Sequence, residues 1–248
     1  MTTSTNPAWA IPSHATSPKH LQLIHKPVPV PGPGEALIRL TAASLNFRDY
    51  LITTHSPHYP GNHKDMLTPG SDGAGVVHSA GPGSIWATRV GTPVVLHPNS
   101  WMDGPGSENV LDFKSVLGGD RLDGTVQGWR VVPDGQVVEA PRGFEGWETA
   151  GLLTAGATAW RAIREWLDGD VKGRLGPWKG GKDDGGSGKW RVRRLEGKTV
   201  LTQGTGGLSC AVIQVCVFFF VFSFSLFAEK EEGVCCEWLN AVVCGMVC

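Results

Sequence analysis

Thr199-Val200-Leu201-Thr202-Gln203-Gly204-Thr205-Gly206-Gly207-Leu208-Ser209 places three glycines within four positions, behind a β-branched and apolar run and ahead of a helix-compatible segment, residues 208–214. The order reads as strand, tight turn, helix. Glycine lets the backbone turn sharply and approach a ligand closely, and a helix starting there offers unpaired N–H groups and a positive dipole end to a phosphate. That is the chemistry of a dinucleotide-binding loop. Ser209 stands where the third glycine of G-x-G-x-x-G falls, so the loop alone does not separate a phosphate cradle from an ordinary strand-to-helix turn. The pieces upstream have to decide.

A chain of 248 residues holds a sizeable core, as one large domain or two small ones. Its formal charge of -1 gives no global attraction to nucleic acid or acidic lipid. The 34 glycines favour strands and turns over a helical bundle. All six cysteines (Cys210, Cys216, Cys235, Cys236, Cys244, Cys248) fall in the last 39 residues. The body before them therefore has neither a disulfide framework nor a thiolate metal site. Residues 1–20 are polar and proline-bearing, without the apolar segment of a secretory signal. A flexible N-terminus over 1–20 and a cytoplasmic body are expected.

From residue 21 the pattern is strand (Leu21-Gln22-Leu23-Ile24-His25), proline-rich turn, strand (Glu35-Ala36-Leu37-Ile38-Arg39-Leu40-Thr41-Ala42). Alternation in the second strand puts Ala36, Ile38 and Leu40 on one face and Leu37, Arg39 and Thr41 on the other, as in a barrel wall. In Ala43-Ser44-Leu45-Asn46-Phe47-Arg48-Asp49-Tyr50-Leu51-Ile52, Asn46 can cap a short helix by accepting from N–H groups of its first turn. Asn46, Arg48 and Asp49 crowd into an otherwise apolar run and need partners or a purpose. Short strands and glycine turns then alternate to about residue 141, a mostly β domain. Residues 145–167 turn helical, with apolar residues three and four apart. Residues 168–194 are rich in Gly, Lys, Arg and Asp and read as a solvated inserted loop. Arg191-Val192-Arg193-Arg194 lacks any aromatic platform and reads as its end, not as a nucleic-acid patch.

In this order the chain resembles the medium-chain dehydrogenase/reductase superfamily, on the side of quinone oxidoreductases, polyketide enoyl-reductase domains and fungal zinc-type alcohol-dehydrogenase-like proteins. The resemblance covers residues 21–214. Its specific pieces are Leu45-Asn46-Phe47-Arg48-Asp49-Tyr50-Leu51, Pro69-Gly70-Ser71-Asp72-Gly73-Ala74-Gly75-Val76, Ala155-Gly156-Ala157-Thr158-Ala159-Trp160 and the loop ending Gly204-Thr205-Gly206-Gly207. It implies an α/β chain: a β-rich GroES-like domain over 21–148, then the start of a Rossmann, doubly wound parallel domain over 149–214. Hydride would pass between a small-molecule substrate and NADP or NAD, with NADP favoured by the family. Gly204, Thr205, Gly206, Gly207 and Leu208 would hold the dinucleotide, and Thr158 would approach the nicotinamide. No oligomer interface is legible.

Zinc-dependent relatives use a cysteine just after the second strand and a histidine in the glycine-rich motif that follows. The matching positions here carry Asn46 and Ser71, which implies no zinc. Carbonyl polarisation would then fall to hydrogen-bond donors or to the cofactor's own ring environment, with Asn46, Arg48, Asp49 and Tyr50 as the candidate residues. By the resemblance Asn46 lines the cleft, Arg48 stabilises negative charge on a developing enolate and Asp49 orients Arg48. The plainer alternative is a helix cap and a local ion pair. His55, His58 and His63 form H-x2-H-x4-H, but Pro57, Pro60 and Gly61 break any helical face that would converge them, so they read as surface histidines.

After Gln214 the resemblance stops, and six of the nine phenylalanines lie between 218 and 227. The 19 residues 210–228, interrupted only by Gln214, Ser223 and Ser225, meet the length of a membrane anchor. Alternatively they form a second strand, with Glu229 as the ribose-binding acid. The favoured reading is translated intron. Valine codons begin with GT, as a 5′ splice site would after Gln214, and Phe, Ser and Leu codons encode a pyrimidine tract. On that reading residues 215–248 are an aberrant tail, the cofactor site lacks its second half, and the chain as written transfers no hydride. The competing class is a non-catalytic GroES-like binding module, membrane-tethered if the tail is genuine.

Overall fold

The computed structural model describes residues 5–58, 63–99, 116–119, 121–167, 200, 202, 204 and 206–219. They form strands β1 (Thr5–Ala10), β2 (Gln22–Pro27) and β3 (Glu35–Ser44), helix α1 (Phe47–Thr53), and strands β4 (Asp72–Ala80), β5 (Pro93–Leu96), β6 (Trp129–Pro133) and β7 (Val137–Glu139). Helix α2 (Gly146–Thr149), a π-helical stretch (Leu152–Gly156), α3 (Ala157–Leu167) and α4 (Gly207–Phe219) follow. β1 and β2 pair as an antiparallel ribbon, and a second antiparallel sheet runs β6-β3-β4-β5-β7.

The alternation read in β3 is real on one face. Ala36 and Ile38 are fully buried in a cluster with Val77, Val94, Leu96, Val132 and Trp86, and Leu40 packs against it. The opposite face begins with a buried Leu37 before Arg39 and Thr41 emerge. The register with β4 shifts between Leu37 and Ile38, and such an irregularity re-aims the side chains around it. Ala74, Val95, Ala140 and Ala150 form a smaller cluster of small residues that Ala42 and Leu153 join.

The expected flexible N-terminus is corrected from Thr5 onward. β1 turns Asn6, Ala8 and Ala10 inward, and the Asn6 amide serves as a splint to β6. Its Nδ2 donates to the Trp129 carbonyl at 3.0 Å and its Oδ1 accepts from the Trp129 N–H at 2.9 Å. Buried backbone groups beyond a strand end need such partners.

Asp123 ties three segments of this unit. Its carboxylate meets Lys26 at 2.9 Å and Lys64 at 3.0 Å and accepts from the Thr68 N–H at 2.9 Å. Burial pushes its pKa up, but the Thr68 N–H and the two lysines outweigh burial and leave it below 3.8. A depressed folded pKa contributes stability above the unfolded value, lost as pH falls through the folded one. Asp123→Asn is expected to cost about 1–3 kcal/mol at neutral pH. That deficit should vanish as pH falls below 3.8, read as urea midpoints of both proteins across acid pH.

The chain divides into two compact units. Among the described residues the first ends at Thr158, within α3 and past the boundary expected at 148. The second holds 159–167 and the described residues from 200 on. In the second unit, α4 begins at Gly207, one residue ahead of the expected segment 208–214, and continues to Phe219, since no glycine or proline stops it after the first position. Residues 215–219 are thus helical, not the start of a strand. The remainder of the tail and Glu229 lie outside the described residues. Among the described residues, no helix is long and apolar enough to cross a membrane.

Candidate functional site

The crowded polar residues at the start of α1 are brought together with the first residues of β4. Asn46 takes the N-cap position with extended backbone (φ -109°, ψ 160°). Asp49, three residues on, accepts the Asn46 N–H at Oδ2 (2.7 Å) and the Gly70 N–H at Oδ1 (3.1 Å). One carboxylate thereby closes the open end of a helix and fastens it to the chain entering β4. Asp49 does not direct its hydrogen bonds at Arg48, whose two terminal nitrogens each donate to the Leu117 carbonyl at 3.2 Å.

Asn46 reaches across to β4, its Nδ2 donating to Asp72 Oδ2 at 2.9 Å and Ser71 Oγ at 3.2 Å. Asp72 has no solvent exposure. Its Oδ1 accepts both the N–H (3.2 Å) and the hydroxyl (2.6 Å) of Thr154, in the π-helical stretch. Burial raises the Asp72 pKa, against the pull of Thr154, Asn46 and Arg48. Burial likewise raises Asp49, against the Asn46 and Gly70 N–H groups and Arg48, with Asp72 adding to the rise. The site is therefore two buried acids sharing one nearby guanidinium.

Asp72 and Thr154 were not among the residues singled out in the sequence. An acid between Ser71 and Gly73, at the head of a strand that runs on through small and apolar residues to Val77, is the available signal, because a charge in such a strand needs partners.

The donor set does not suit zinc. An amide nitrogen has no lone pair to give, and Asn46 turns that nitrogen, not a thiolate or imidazole, toward Ser71 and Asp72. Among the described residues no three His, Cys, Asp or Glu side chains gather as a metal site. The histidine window behaves differently from its reading as surface loop. His55 takes a left-handed turn (φ 48°) and stacks on His63 with ring centroids 4.5 Å apart. His63 is buried, its Nδ1 bonded to the Lys64 carbonyl, while His58 stays exposed.

Of the residues expected to meet a dinucleotide, Gly204 lies in the left-handed region (φ 77°), and among the described residues no atom stands within 4 Å of a side chain placed on Gly204 or Gly206. Gly207 and Leu208 open α4, which runs 13 residues. Open backbone running into a helix N-terminus suits a pyrophosphate. Thr205 lies outside the described residues, and Thr158 is an exposed residue of α3.

The alcohol dehydrogenase GroES-like domain model matches residues 32–142. A zinc-type alcohol dehydrogenase-like protein of Schizosaccharomyces pombe is 33% identical over 183 residues, 73% of this chain and 44% of that protein. One of Leptosphaeria maculans is 36% identical over 153 residues, 59% and 41% of the two. The chain thus spans less than half the length of these curated relatives. An alcohol dehydrogenase structure from Sinorhizobium meliloti superposes with a TM-score of 0.68 at 25% identity, covering 98% of this chain and 61% of that one. Domain match, relatives and structural likeness converge with the sheet order and the β4 motif: the chain, α/β with a β-rich GroES-like domain, belongs to the medium-chain dehydrogenase/reductase superfamily.

Proposed function

We propose that the chain carries the substrate side, and the beginning of the cofactor side, of an NAD(P)-dependent, zinc-independent oxidoreductase acting on an enone, quinone or alcohol/carbonyl substrate. The supporting observation is the Asn46 amide, locked to Ser71 and Asp72 where zinc-using relatives carry metal ligands. Nicotinamide supplies or takes up the hydride when bound. Gly204, Thr205, Gly206, Gly207 and Leu208 would hold the pyrophosphate of the dinucleotide, and Thr158 would approach the nicotinamide. Asn46 lines the reacting cleft, and Arg48 lends positive charge to an oxygen that becomes negative. Asp49 acts by fixing the α1 N-terminus on which both stand.

Saturable enhancement of NADPH or NADH fluorescence by the full chain, weakened at least about tenfold by Gly204→Val, is the expected result. Wild-type protein with no saturable signal would favour the non-catalytic GroES-like module. Elemental analysis is expected to find zinc well below one ion per chain. A stoichiometric zinc lost on Ser71→Ala would defeat the zinc-free assignment.

A further inference from the structure

Asn46 has two amide hydrogens and one carbonyl oxygen to offer. Both hydrogens point at protein acceptors, Asp72 Oδ2 at 2.9 Å and Ser71 Oγ at 3.2 Å. Asp72 cannot turn away from this duty, because Thr154 holds its other oxygen with a backbone N–H and a hydroxyl. Its backbone is held too, the Asp72 carbonyl accepting from Thr125 Oγ1 at 2.6 Å. A carboxylate has only acceptors to show, so it pairs with the nitrogen end of an amide and not with the oxygen end. The chain of contacts runs from the π-helical stretch through β4 to the N-cap of α1.

We propose that Asp72 is a positioning residue that fixes the Asn46 amide so that its oxygen, an acceptor, is the end Asn46 offers a bound molecule. The inference rests on the proposed function for its setting, since it presumes that Asn46 faces cofactor or substrate. A carbonyl-polarising N–H from Asn46 would require release of Asp72 or Ser71. Substitution of Asp72 by asparagine keeps shape but presents one acceptor to two opposed donors, the Thr154 N–H and Asn46 Nδ2. One of them is then left facing an NH2 group.

Full-length protein labelled with 15N-asparagine reads the amide directly, the Asn46 side-chain pair being the one absent from Asn46→Ala. In wild type this pair should exchange slowly with water. In Asp72→Asn it should shift and exchange at least about tenfold faster, the remaining signals staying in place. Thr154→Val, which keeps the acid but removes one donor, should give a smaller shift in the same direction and serves if Asp72→Asn fails to fold. An Asn46 pair that exchanges freely in wild type, or is unmoved by both variants, overturns the proposal.

Cofactor affinity supplies a second readout. Asp72→Asn and Asn46→Ala should each weaken NADPH binding by roughly tenfold, and the double variant should be no worse than either. A double variant weakened by the product of the two factors makes Asp72 merely structural and overturns the role. If wild type binds no dinucleotide, the proposed function fails, while the exchange experiment still decides how Asp72 holds Asn46.

Discussion

Gly70→Ala is expected to cost the GroES-like unit about 2–6 kcal/mol of its stability. Gly70 sits at φ 100°, and a methyl group there would stand 2.5 Å from Thr125 Oγ1 and 2.9 Å from Val126 Cγ2. Thr125 cannot retreat. Its N–H donates to the Gly70 carbonyl at 3.0 Å, its hydroxyl to the Asp72 carbonyl at 2.6 Å, and the Val126 N–H to the Pro69 carbonyl at 3.1 Å. Backbone strain of about 1–3 kcal/mol adds to overpacking of similar size, about 1–3 kcal/mol. The sum is a large share of the roughly 5–15 kcal/mol that holds a domain folded. Gly83→Ala isolates the strain, since Gly83 has φ 73° and open space where the methyl would go. Denaturant midpoints should place Gly70→Ala well below Gly83→Ala. If the two fall within about 1 kcal/mol, the steric half of the reasoning is wrong.

What the sequence made legible was local or repeated. β3 announced itself by alternation, the α1 start by Asn46 ahead of Asp49, and the second unit by glycines leading into α4. The contacts that assemble the site are long in sequence and leave no periodic trace. Asp72 meets Thr154 across 82 positions, and Asn6 meets Trp129 across 123. β1 carries no strand signal in sequence because its inward positions are Asn6, Ala8 and Ala10, too small and polar to mark a strand before the Trp129 backbone is beside them. The histidine window misled for another reason. Pro57 argues against a helical face, but the left-handed turn at His55 brings its ring onto His63 without one.

Asp49→Ala should have the second large effect, and its pH dependence identifies the cause. The side chain is 4% exposed, and its loss strands the Asn46 and Gly70 N–H groups that it accepts at 2.7 and 3.1 Å. Each stranded donor costs about 1–3 kcal/mol, so a deficit of roughly 2–6 kcal/mol is expected in acid solution. Asp49 itself is held unwillingly as an anion. Burial raises its pKa above 3.8, only partly opposed by the two N–H groups and Arg48, and nearby Asp72 adds to the rise. A raised folded pKa means the folded state binds the proton more tightly. The resulting stability is fully present below 3.8 and declines as pH climbs through the folded value. Alanine has no such penalty, so the gap between wild type and Asp49→Ala should narrow from acid to neutral pH. Asp49→Asn, which keeps one acceptor for two donors, should fall between them in acid solution. Urea midpoints of the three proteins on both sides of the transition measure this. A gap that widens toward neutral pH would mean that hydrogen bonds and Arg48, not burial, govern the carboxyl, and that the α1 N-terminus is held by an anion the fold favours.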